Sequence, residues 1–398
     1  MVMRDGFKRL TTHKVALKEF LDKIEPHRIA VNLPLGQADG SITAKKVLAP
    51  RPSPHYRRAA MDGFAVSASQ TFGASDNSPI RLEIEGEVDS FSAGYASPIH
   101  TGGPVPKGAD AVVKFEDTQK GDGNLDVFSP VAPGENVSPI GEDVEEGDVI
   151  LERGHKITPS HLGLLQALGL QEVSVVEAPT VAIIPTGEEL LQPGKVPGSG
   201  ETIQSNGIML EKYVEKWGGI PTVKSVLSDD PEKIGKALQW ACGFDAVLFT
   251  GGSSVGRRDR IVEVLRKQGK ILVHGVAIQP GKPVALGVVR ETPVIALPGY
   301  PVATLVDAYF FARPLIRHLL GRVDDEIRGK VLLGRKIASS LGKMSVVRVR
   351  VDNGQAFPIR VSGSGVLSSV TKSDGFVLVP EDSEGIPRGK EVEFYTWR

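Results

Sequence analysis

The pattern of apolar and polar positions predicts alternating strands and helices in the central part of the chain. Short apolar runs, VAIIP (181–185), AVLF (246–249) and VIAL (294–297), are typical of buried strands. Between them lie amphipathic segments such as SNGIMLEKYVEKWGG (205–219), whose apolar residues recur every three or four positions. Strands alternating with helices indicate βαβ units. We therefore predict a largely parallel sheet with helices on both faces.

Local signals place several ends of these elements. Asp230 followed by Pro231 predicts an N-cap and a first helical position, and Gly218 predicts the end of the preceding helix. PVATLVDAYFFARPLIRHLL (301–320) predicts a final helix. After residue 325 the period changes to two, and Asn353-Gly354 between two extended runs predicts a hairpin. Runs such as AVVKF (111–115), among many Pro and Gly residues, predict a further small β domain.

Composition narrows the class of protein. The 398 residues include 47 Lys plus Arg and 48 Asp plus Glu, a net charge of -1, so we expect no nucleic-acid partner. The single Cys242 excludes a disulfide scaffold and fits a reducing compartment, and we expect it to be a buried small apolar residue. The sequence has no apolar run of 18 residues and no signal-peptide pattern. We therefore expect no membrane partner and a cytoplasmic location.

Three loops follow predicted strands of the central sheet and share small or rigid residues. They are TGEEL (186–190), TGGSSVGRRD (250–259) and PGYP (298–301). Ligands of open parallel sheets bind beyond the carboxyl ends of the strands, where these loops would meet. Glycine backbone and a following helix N-terminus suit phosphate-like oxygens. A plain connection between strand and helix explains any one loop equally well, but three at one edge favour a binding site.

Carboxylates in these loops indicate a metal ion beside the expected anion. Glu188, Glu189 and Asp259 lie where a phosphate site would favour cations, and a bridging Mg²⁺ would reconcile the charges. A helix N-cap remains an alternative for Asp259, and a solvated acid for one of the two Glu residues. Lys282 in QPGKP provides a cation at the same edge. From spacing alone, Asp62 in AAMDGFAV could simply form a turn with Gly63.

Taken together, the motifs resemble the molybdopterin molybdenumtransferase family (the MoeA and gephyrin E-domain type). The matching segments occur in the family's order between about residues 57 and 380. They are AAMDGFAV, TGGPVPKGADAVV, GEDVEEGDVI, IPTGEEL, DAVLFTGGSSVGRRD, QPGKPVALG, ALPGYPVATL and SGSGVLSSVTKSDGFVLVP.

This resemblance implies a fold and a domain order. The fold class would be multidomain α/β plus β, with a central three-layer α/β domain of the molybdopterin-binding type at 179–324. A small β domain would be inserted at 51–137, and a β-barrel-like domain would form the C-terminal part at 325–398. The segments 1–50 and 138–178 would together form a discontinuous, mixed α/β dimerisation domain.

The resemblance also implies an activity. Molybdate would be inserted into adenylylated molybdopterin, the phosphoanhydride would be hydrolysed and AMP released. The reaction would depend on Mg²⁺ and take place in a homodimer, with the adenylyltransferase that makes the substrate as a possible partner. Asp62, Asp143, Glu189 and Asp259 would be catalytic, and Asp62, Glu189 and Asp259 would hold the metal. The residues implied to bind the pterin substrate are Thr101, Thr186, Gly187, Glu188, Asp229, Thr250, Gly251, Gly252, Ser253, Gly256, Lys282, Pro298, Gly299 and Pro301.

The chain departs from the family pattern at several positions. Gln279 replaces a common Lys before PGKP, Tyr300 replaces the usual Asn of PGNP, and Gln204 replaces a common Asp. Thr250 replaces a common Ser, a mild change. These departures leave molybdate and tungstate both open as the oxyanion. Asp229 keeps an alternative as a helix cap, because it begins the segment DDP.

Two other functions stay in view. A molybdopterin adenylyltransferase shares the α/β domain, but that family generally works with this domain alone. A gephyrin-like peptide-binding scaffold would have no need of Asp62, Glu189 and Asp259. Consumption of ATP would identify the first alternative, and failure to bind adenylylated molybdopterin the second.

Overall fold

The structure is a computed structural model that describes residues 10–26, 29–86, 89–90, 93–251, 260–322, 328–360 and 363–397. The chain divides into two compact units. The first comprises Met1–Val31, Gly40–Ala44 and Val176–Arg398, and the second comprises Asn32–Asp39 and Lys45–Val175. Our four-domain division, with its finer boundaries, remains a prediction.

The first unit contains the predicted α/β sheet. Among the described residues it has six strands, in the order Ile220–Val223, Thr180–Pro185, Ala246–Thr250, Thr292–Leu297, Ala285–Val289 and Lys270–His274. The first four run parallel, and the last two pairings are antiparallel. The sheet is therefore mostly parallel, as predicted. The antiparallel edge was not predicted.

Alternating residues of each strand enter two different cores. Val181 and Ile183 pack with Trp217 in one core, whereas Ala182 and Ile184 pack with Leu238 in the other. Both faces of the sheet are therefore covered, which accounts for apolar runs without polar alternation. The helices of this unit are His13–Leu21, Asn206–Trp217, Pro231–Ala241, Arg260–Gln268, Pro301–Asp307, Arg313–Leu319 and Ser368–Thr371.

The predicted helix ends are confirmed in the first unit. The carboxylate of Asp230 accepts a hydrogen bond from Glu232 N at 2.8 Å, with Pro231 at the first helical position. Gly218 ends the preceding helix in the left-handed region, at φ 98°. The segment TVKSVL (222–227) has a pattern that also predicts a strand, and this prediction is corrected, because the strand is Ile220–Val223.

The final helix is not the uninterrupted α-helix that the pattern predicted. It consists of Pro301–Asp307, a π-helical turn Ala308–Ala312 and Arg313–Leu319. Pro314 lies just after the π turn. Proline has no backbone N–H and its ring collides with the carbonyl four residues earlier, so a local change of helical hydrogen bonding accommodates it.

The C-terminal part of the first unit is the predicted β-barrel. Five strands follow one another around it: Met344–Asp352, Gln355–Arg360, Arg328–Leu333, Glu391–Tyr395 and Gly375–Val379. The last pairs with the first and closes the ring. Asn353 and Gly354, at φ 48° and 73°, form the predicted hairpin turn. The remaining short strands of this unit are Leu190–Leu191, Thr202–Ile203, Ile278–Gln279, Ile337–Ala338 and Gly385–Ile386.

The barrel and the α/β sheet share one apolar core. Tyr309 of the final helix packs edge to face on Phe376 of the barrel, with ring centroids 5.1 Å apart. The strand Ile278–Gln279 also pairs with Met344–Ser345 of the barrel. The loop that carries Lys282 therefore begins after a strand paired with the barrel and ends at the strand Ala285–Val289 of the α/β sheet.

The second unit contains the predicted small β domain. Its six-stranded sheet, in the described residues, has the order Ala111–Lys114, Gly63–Val66, Tyr95–Ile99, Ile80–Ile84, Asn124–Val127 and Thr118–Lys120. Phe64, Leu82 and Leu125 lie in its core. The unit also contains the helix Pro159–Ala167 and the short strands Val47–Leu48, Arg58–Ala59, Val137–Ser138 and Val149–Leu151. The strands Ala30–Pro34 and Glu172–Val176 lie where the chain passes between the two units.

Across the described ranges, the structure contains no helix that is both long and apolar enough to span a membrane.

Candidate functional site

A cavity of about 700 Å³ opens at the carboxyl ends of the parallel strands in the first unit. All three loops that the sequence indicated contribute to it. The predicted site residues that line it are Thr186, Glu189, Thr250, Gly251, Lys282, Pro298, Gly299 and Pro301. The position agrees with the rule that ligands of open α/β sheets bind beyond the strand ends.

The floor of the cavity is formed by two strand ends in close contact. Thr186 N donates to Thr250 O at 2.8 Å, and Gly251 N donates to Leu297 O at 3.2 Å. Gly251 adopts φ 116°, and a Cβ at this position would lie 2.0 Å from Thr186 O. Only glycine fits here, because a side chain would meet backbone as well as an unfavourable φ. The Thr186 hydroxyl is buried and has no hydrogen-bond partner among the described residues.

Asn206 is a cavity residue that the sequence did not single out. It begins the helix Asn206–Trp217, and its Nδ2 donates to Thr250 Oγ1 and to Gly299 O, both at 2.8 Å. These two bonds fix the amide orientation, so the oxygen Oδ1 is the remaining polar atom. Within the described part of the chain, Oδ1 is buried and has no partner. Asn206 therefore offers a bound molecule a hydrogen-bond acceptor.

Charged groups lie at the wall of the cavity. The Glu189 carboxylate folds over Gly187, within about 3 Å of where a Gly187 Cβ would be. Lys282 lines both this cavity and a second one of about 390 Å³, which also includes Gln279 and Lys343. One carboxylate and cations of two adjacent cavities thus lie near the strand ends, a combination suited to phosphate or oxyanion groups together with a divalent cation.

The second unit contains its own polar cluster around Asp62. The carboxylate Oδ1 accepts hydrogen bonds from Thr101 N at 2.7 Å and from Thr101 Oγ1 at 3.0 Å, and His100 Nδ1 lies 3.7 Å away. The hydrogen bond from the Thr101 backbone, and then that from its hydroxyl, hold the pKa of Asp62 below its ordinary value. Asp62 is exposed and ionised at neutral pH.

The remaining predicted site residues lie apart from these clusters or outside the described residues. Asp143 is exposed in the second unit, where its N–H donates to Ser53 O at 3.0 Å. Gly187 and Glu188 are in the loop of Glu189 but are not in the cavity wall. Asp229 is half-buried, and the N-cap of the following helix is Asp230. Gly252, Ser253, Gly256 and Asp259 lie outside the described residues.

The structure adds several cavity residues to the predicted ones. Gln204 and Tyr300, which we noted only as departures from the family pattern, line the wall together with Ser205, Asn206 and Gly365. Gly365 belongs to the C-terminal part of the unit, far away in the sequence. Gly365 lies in the segment SGSGVLSSVTKSDGFVLVP, which contributed to the resemblance, but neither Gly365 nor Asn206 was itself predicted as a site residue. A search for polar residues that begin helices of the parallel sheet would have indicated Asn206.

The parallel sheet with a cavity at its strand ends, followed by a closed β-barrel, defines an α/β protein with a ligand cavity and an added β domain. The family models agree in chain order. The MoeA N-terminal region (domain I and II) matches residues 11–169, the probable molybdopterin binding domain matches 182–318, and the MoeA C-terminal region (domain IV) matches 330–397. The chain belongs to the MoeA family of molybdopterin molybdenumtransferases.

Individual relatives are similar over almost the whole chain. A putative molybdopterin biosynthesis protein of Methanocaldococcus jannaschii is 38% identical, covering 97% of this chain and 96% of the relative. Molybdopterin molybdenumtransferase 2 of Mycobacterium tuberculosis is 31% identical, covering 96% and 98%. The crystal structure of the molybdopterin biosynthesis protein MoeA from Pyrococcus horikoshii superposes with a TM-score of 0.87 at 34% identity, covering 98% of this chain and 100% of that one.

Proposed function

We propose that this protein inserts molybdate or tungstate into adenylylated molybdopterin and releases AMP. The observation that carries the proposal is the cavity of about 700 Å³ at the strand ends, inside the segment that matches the molybdopterin-binding domain model. Its wall combines small-residue loops, an amide acceptor and a lysine. A substrate with a planar ring, phosphates and an oxyanion needs groups of these kinds.

The proposed chemistry gathers several negative oxygens at one place. Water adds to the phosphoanhydride of the adenylylated pterin, which releases AMP and leaves the pterin phosphate. The oxyanion then exchanges oxygen, which leaves as water, for ligand atoms of the pterin. Lys282 offsets negative charge from the wall of the cavity, and the Thr186 hydroxyl can donate to a phosphate oxygen. The floor closes the cavity on the side of the sheet, because its residues are packed strand to strand.

A Mg²⁺ ion fits the donors that the structure describes. No group of three or more His, Cys, Asp or Glu side chains within the described ranges could hold a metal by itself. Mg²⁺ usually takes one or two carboxylates together with substrate phosphates and water, so it does not need such a group. Glu189 at the cavity wall has the required chemistry, and we propose it as a ligand together with Asp259. The ionised Asp62 has the same chemistry in its own unit, and we propose it separately as a carboxylate that can bind Mg²⁺. When bound, the ion would neutralise the phosphate charge.

We also propose a cytoplasmic homodimer that receives its substrate from a molybdopterin adenylyltransferase. The family resemblance supports the dimer and the partner enzyme, and the single cysteine fits a reducing compartment. Sedimentation or light scattering that gives twice the 42.5 kDa of one chain would support the dimer. A mass of one chain at micromolar concentration would contradict it.

Release of AMP tests the proposed function directly. Purified protein is incubated with adenylylated molybdopterin, Mg²⁺ and molybdate or tungstate, and AMP is quantified. We expect Asp62→Asn, Glu189→Gln and Asp259→Asn to lower the rate about 100-fold or more, the usual cost of removing one key charge stabiliser. Asp126→Asn is the matched control, because Asp126 is an aspartate of the second unit that pairs with Arg81 on the surface.

Three outcomes would contradict the proposal. Wild-type rates of AMP release in both Asp62→Asn and Asp259→Asn would show that the proposed mechanism is wrong. If chelation of Mg²⁺ leaves the rate of AMP release unchanged, the reaction does not need the metal. Consumption of ATP with metal-free molybdopterin, without release of AMP from the adenylylated form, would assign the adenylyltransferase activity instead.

A further inference from the structure

Tyr300 stands at the boundary of the two cavities. Its side chain lines both of them, together with Lys282, Pro283 and Pro298, and yet 66% of its surface is exposed. An aromatic ring that forms a cavity wall and leaves most of its surface open presents a flat apolar face to any molecule bound there.

The ring has a rigid support. A Cβ at Gly365 would lie 3.3 Å from Cδ1 and 3.7 Å from Cε1 of Tyr300, so the ring rests against the bare backbone of that glycine. Val302 N donates to Ser364 O at 2.9 Å and ties the two segments together. Tyr300 is also the residue before Pro301, and its carbonyl accepts from Thr304 N at 2.9 Å. The backbone that carries the ring is therefore fixed, and one edge of the ring packs on Gly365.

A polar group lies beside this face. Asn206 Nδ2 donates to the carbonyl of Gly299, the residue that precedes Tyr300. The amide therefore contacts the segment that carries the ring. Asn206 is 8% exposed, and its Oδ1 has no partner in the described residues. An aromatic face next to a buried acceptor matches a planar nitrogen heterocycle, which stacks through its face and donates from an amino group at its edge.

We propose that Tyr300 is the stacking platform for a heterocycle of the adenylylated pterin substrate, and that Asn206 Oδ1 accepts a hydrogen bond from the edge of that ring. The inference rests on the proposed function and adds the residues that recognise the substrate. Pterin and adenine share the required chemistry, a planar ring with amino groups. Separate titrations distinguish the two.

The test compares variants that change one property of Tyr300. The full-length protein is titrated anaerobically with metal-free molybdopterin, with AMP and with adenylylated molybdopterin. Tyr300→Phe keeps the ring and removes the hydroxyl, whereas Tyr300→Leu keeps apolar volume and removes the aromatic face. We expect Leu to weaken binding of either molybdopterin or AMP roughly tenfold or more, and Phe to stay within about twofold of the wild type.

The controls separate binding from folding. The Tyr300 side chain makes no capping hydrogen bond to its helix, so both substitutions should leave the thermal unfolding midpoint unchanged. Phe72→Ala removes another exposed aromatic ring, in the second unit, and should leave all three affinities unchanged. Asn206→Ala should weaken the binding of the same ligand, molybdopterin or AMP, as Tyr300→Leu does.

The results either support or overturn the platform. If Tyr300→Leu weakens the binding of molybdopterin but not of AMP, the ring that stacks on Tyr300 is the pterin. If it weakens the binding of AMP but not of molybdopterin, that ring is the adenine. Three results would overturn the proposed stacking. They are wild-type affinities in Tyr300→Leu, an equal loss of affinity in Tyr300→Phe and Tyr300→Leu, and a wild-type protein that binds none of the three ligands. If the wild type binds adenylylated molybdopterin but releases no AMP, the proposed function fails, and the titrations still decide the role of Tyr300.

Discussion

At the residue scale, the site depends on side chains whose hydrogen bonds fix what they can offer. The Asn206 amide nitrogen donates hydrogen bonds to Thr250 and Gly299, which leaves the amide oxygen for a ligand. Asp62 accepts two bonds from Thr101 and stays ionised. In both cases a neighbouring group, and not the residue type by itself, decides the chemistry that is presented.

Asn206→Ala should destabilise the first unit as well as weaken substrate binding. The substitution leaves the Gly299 carbonyl and the Thr250 hydroxyl without this donor, which typically costs about 1–3 kcal/mol in a buried site. Urea unfolding followed by the tryptophan signal measures the loss. Asn124→Ala is the control, because its amide makes only an exposed 3.4 Å bond to Asp122 O and should cost under about 0.5 kcal/mol. Equal stability of the two variants would contradict the buried network.

Thr101→Val should raise the pKa of Asp62. The hydroxyl donor that favours the charged carboxylate is lost, while the backbone donor of residue 101 remains. The native pKa is lowered, so Asp62 is ionised at neutral pH and becomes protonated only as the pH falls through that lowered value. In the variant, protonation should begin at a higher pH. A carbon-detected NMR titration of Asp62 measures the change. An identical titration curve in the two proteins would show that the hydroxyl has no effect.

At the element scale, close packing between segments limits which residues the connecting loops accept. Gly251 allows the strand ends of Pro185 and Thr250 to meet, and Gly281 lies against the carboxyl group of Asp307. Asp307, at the end of the helix Pro301–Asp307, is fully buried, and neither of its oxygens has a hydrogen-bond partner among the described residues. Burial raises the pKa of Asp307 well above its ordinary value.

Gly251→Ala should disrupt the floor of the cavity. The new methyl group would meet Thr186 O, and the residue would have to keep a positive φ, so we expect a loss above about 2 kcal/mol together with loss of substrate binding. Gly342→Ala is the matched control. Gly342 also has a positive φ, at 82°, but a Cβ there would meet nothing within 4 Å. Its cost should therefore be only about 1–2 kcal/mol, from the backbone alone. Equal costs would contradict the steric argument.

Asp307→Asn should stabilise the protein at neutral pH. A carboxyl group whose pKa is raised by folding binds more protons in the native than in the unfolded state, once the pH exceeds the ordinary aspartate value. Native stability is therefore lost as the pH rises through that range, and a neutral amide avoids the loss. Thermal unfolding from about pH 4 to pH 8 measures this. The gain from Asn should grow with pH, and a difference that is constant across the range would contradict it.

At the scale of the whole molecule, the residues implied for catalysis are distributed over two compact units. Asp62, Thr101 and Asp143 belong to one, and the cavity with Glu189 and Lys282 belongs to the other. The residues predicted for one reaction are therefore spread over both units of the chain, and each group is described within its own unit.

Asp62→Asn in one unit and Glu189→Gln in the other should each slow the release of AMP, because both carboxylates are proposed to take part in stabilising charge during the reaction. The rate of AMP release in the two variants and the wild type measures this. A wild-type rate in either variant would remove its unit from the proposed reaction.

The sequence by itself determined the elements that depend on neighbouring residues. The cap at Asp230, the helix end at Gly218 and the turn at Asn353-Gly354 follow from local backbone preferences, and apolar runs determined which strands are buried. The three loops at the strand ends followed from chain order, because parallel strands place their carboxyl ends at one edge.

Only the tertiary structure decided which distant residues meet. Gly365 and Tyr300 form one wall although 65 positions separate them (365 minus 300), and Asn206 bonds to Thr250 and Gly299 across 44 and 93 positions. The antiparallel edge of the sheet and the π turn before Pro314 likewise required the packed core. Such contacts depend on how whole elements pack, and a local pattern carries no information about the partner that packing brings to a residue.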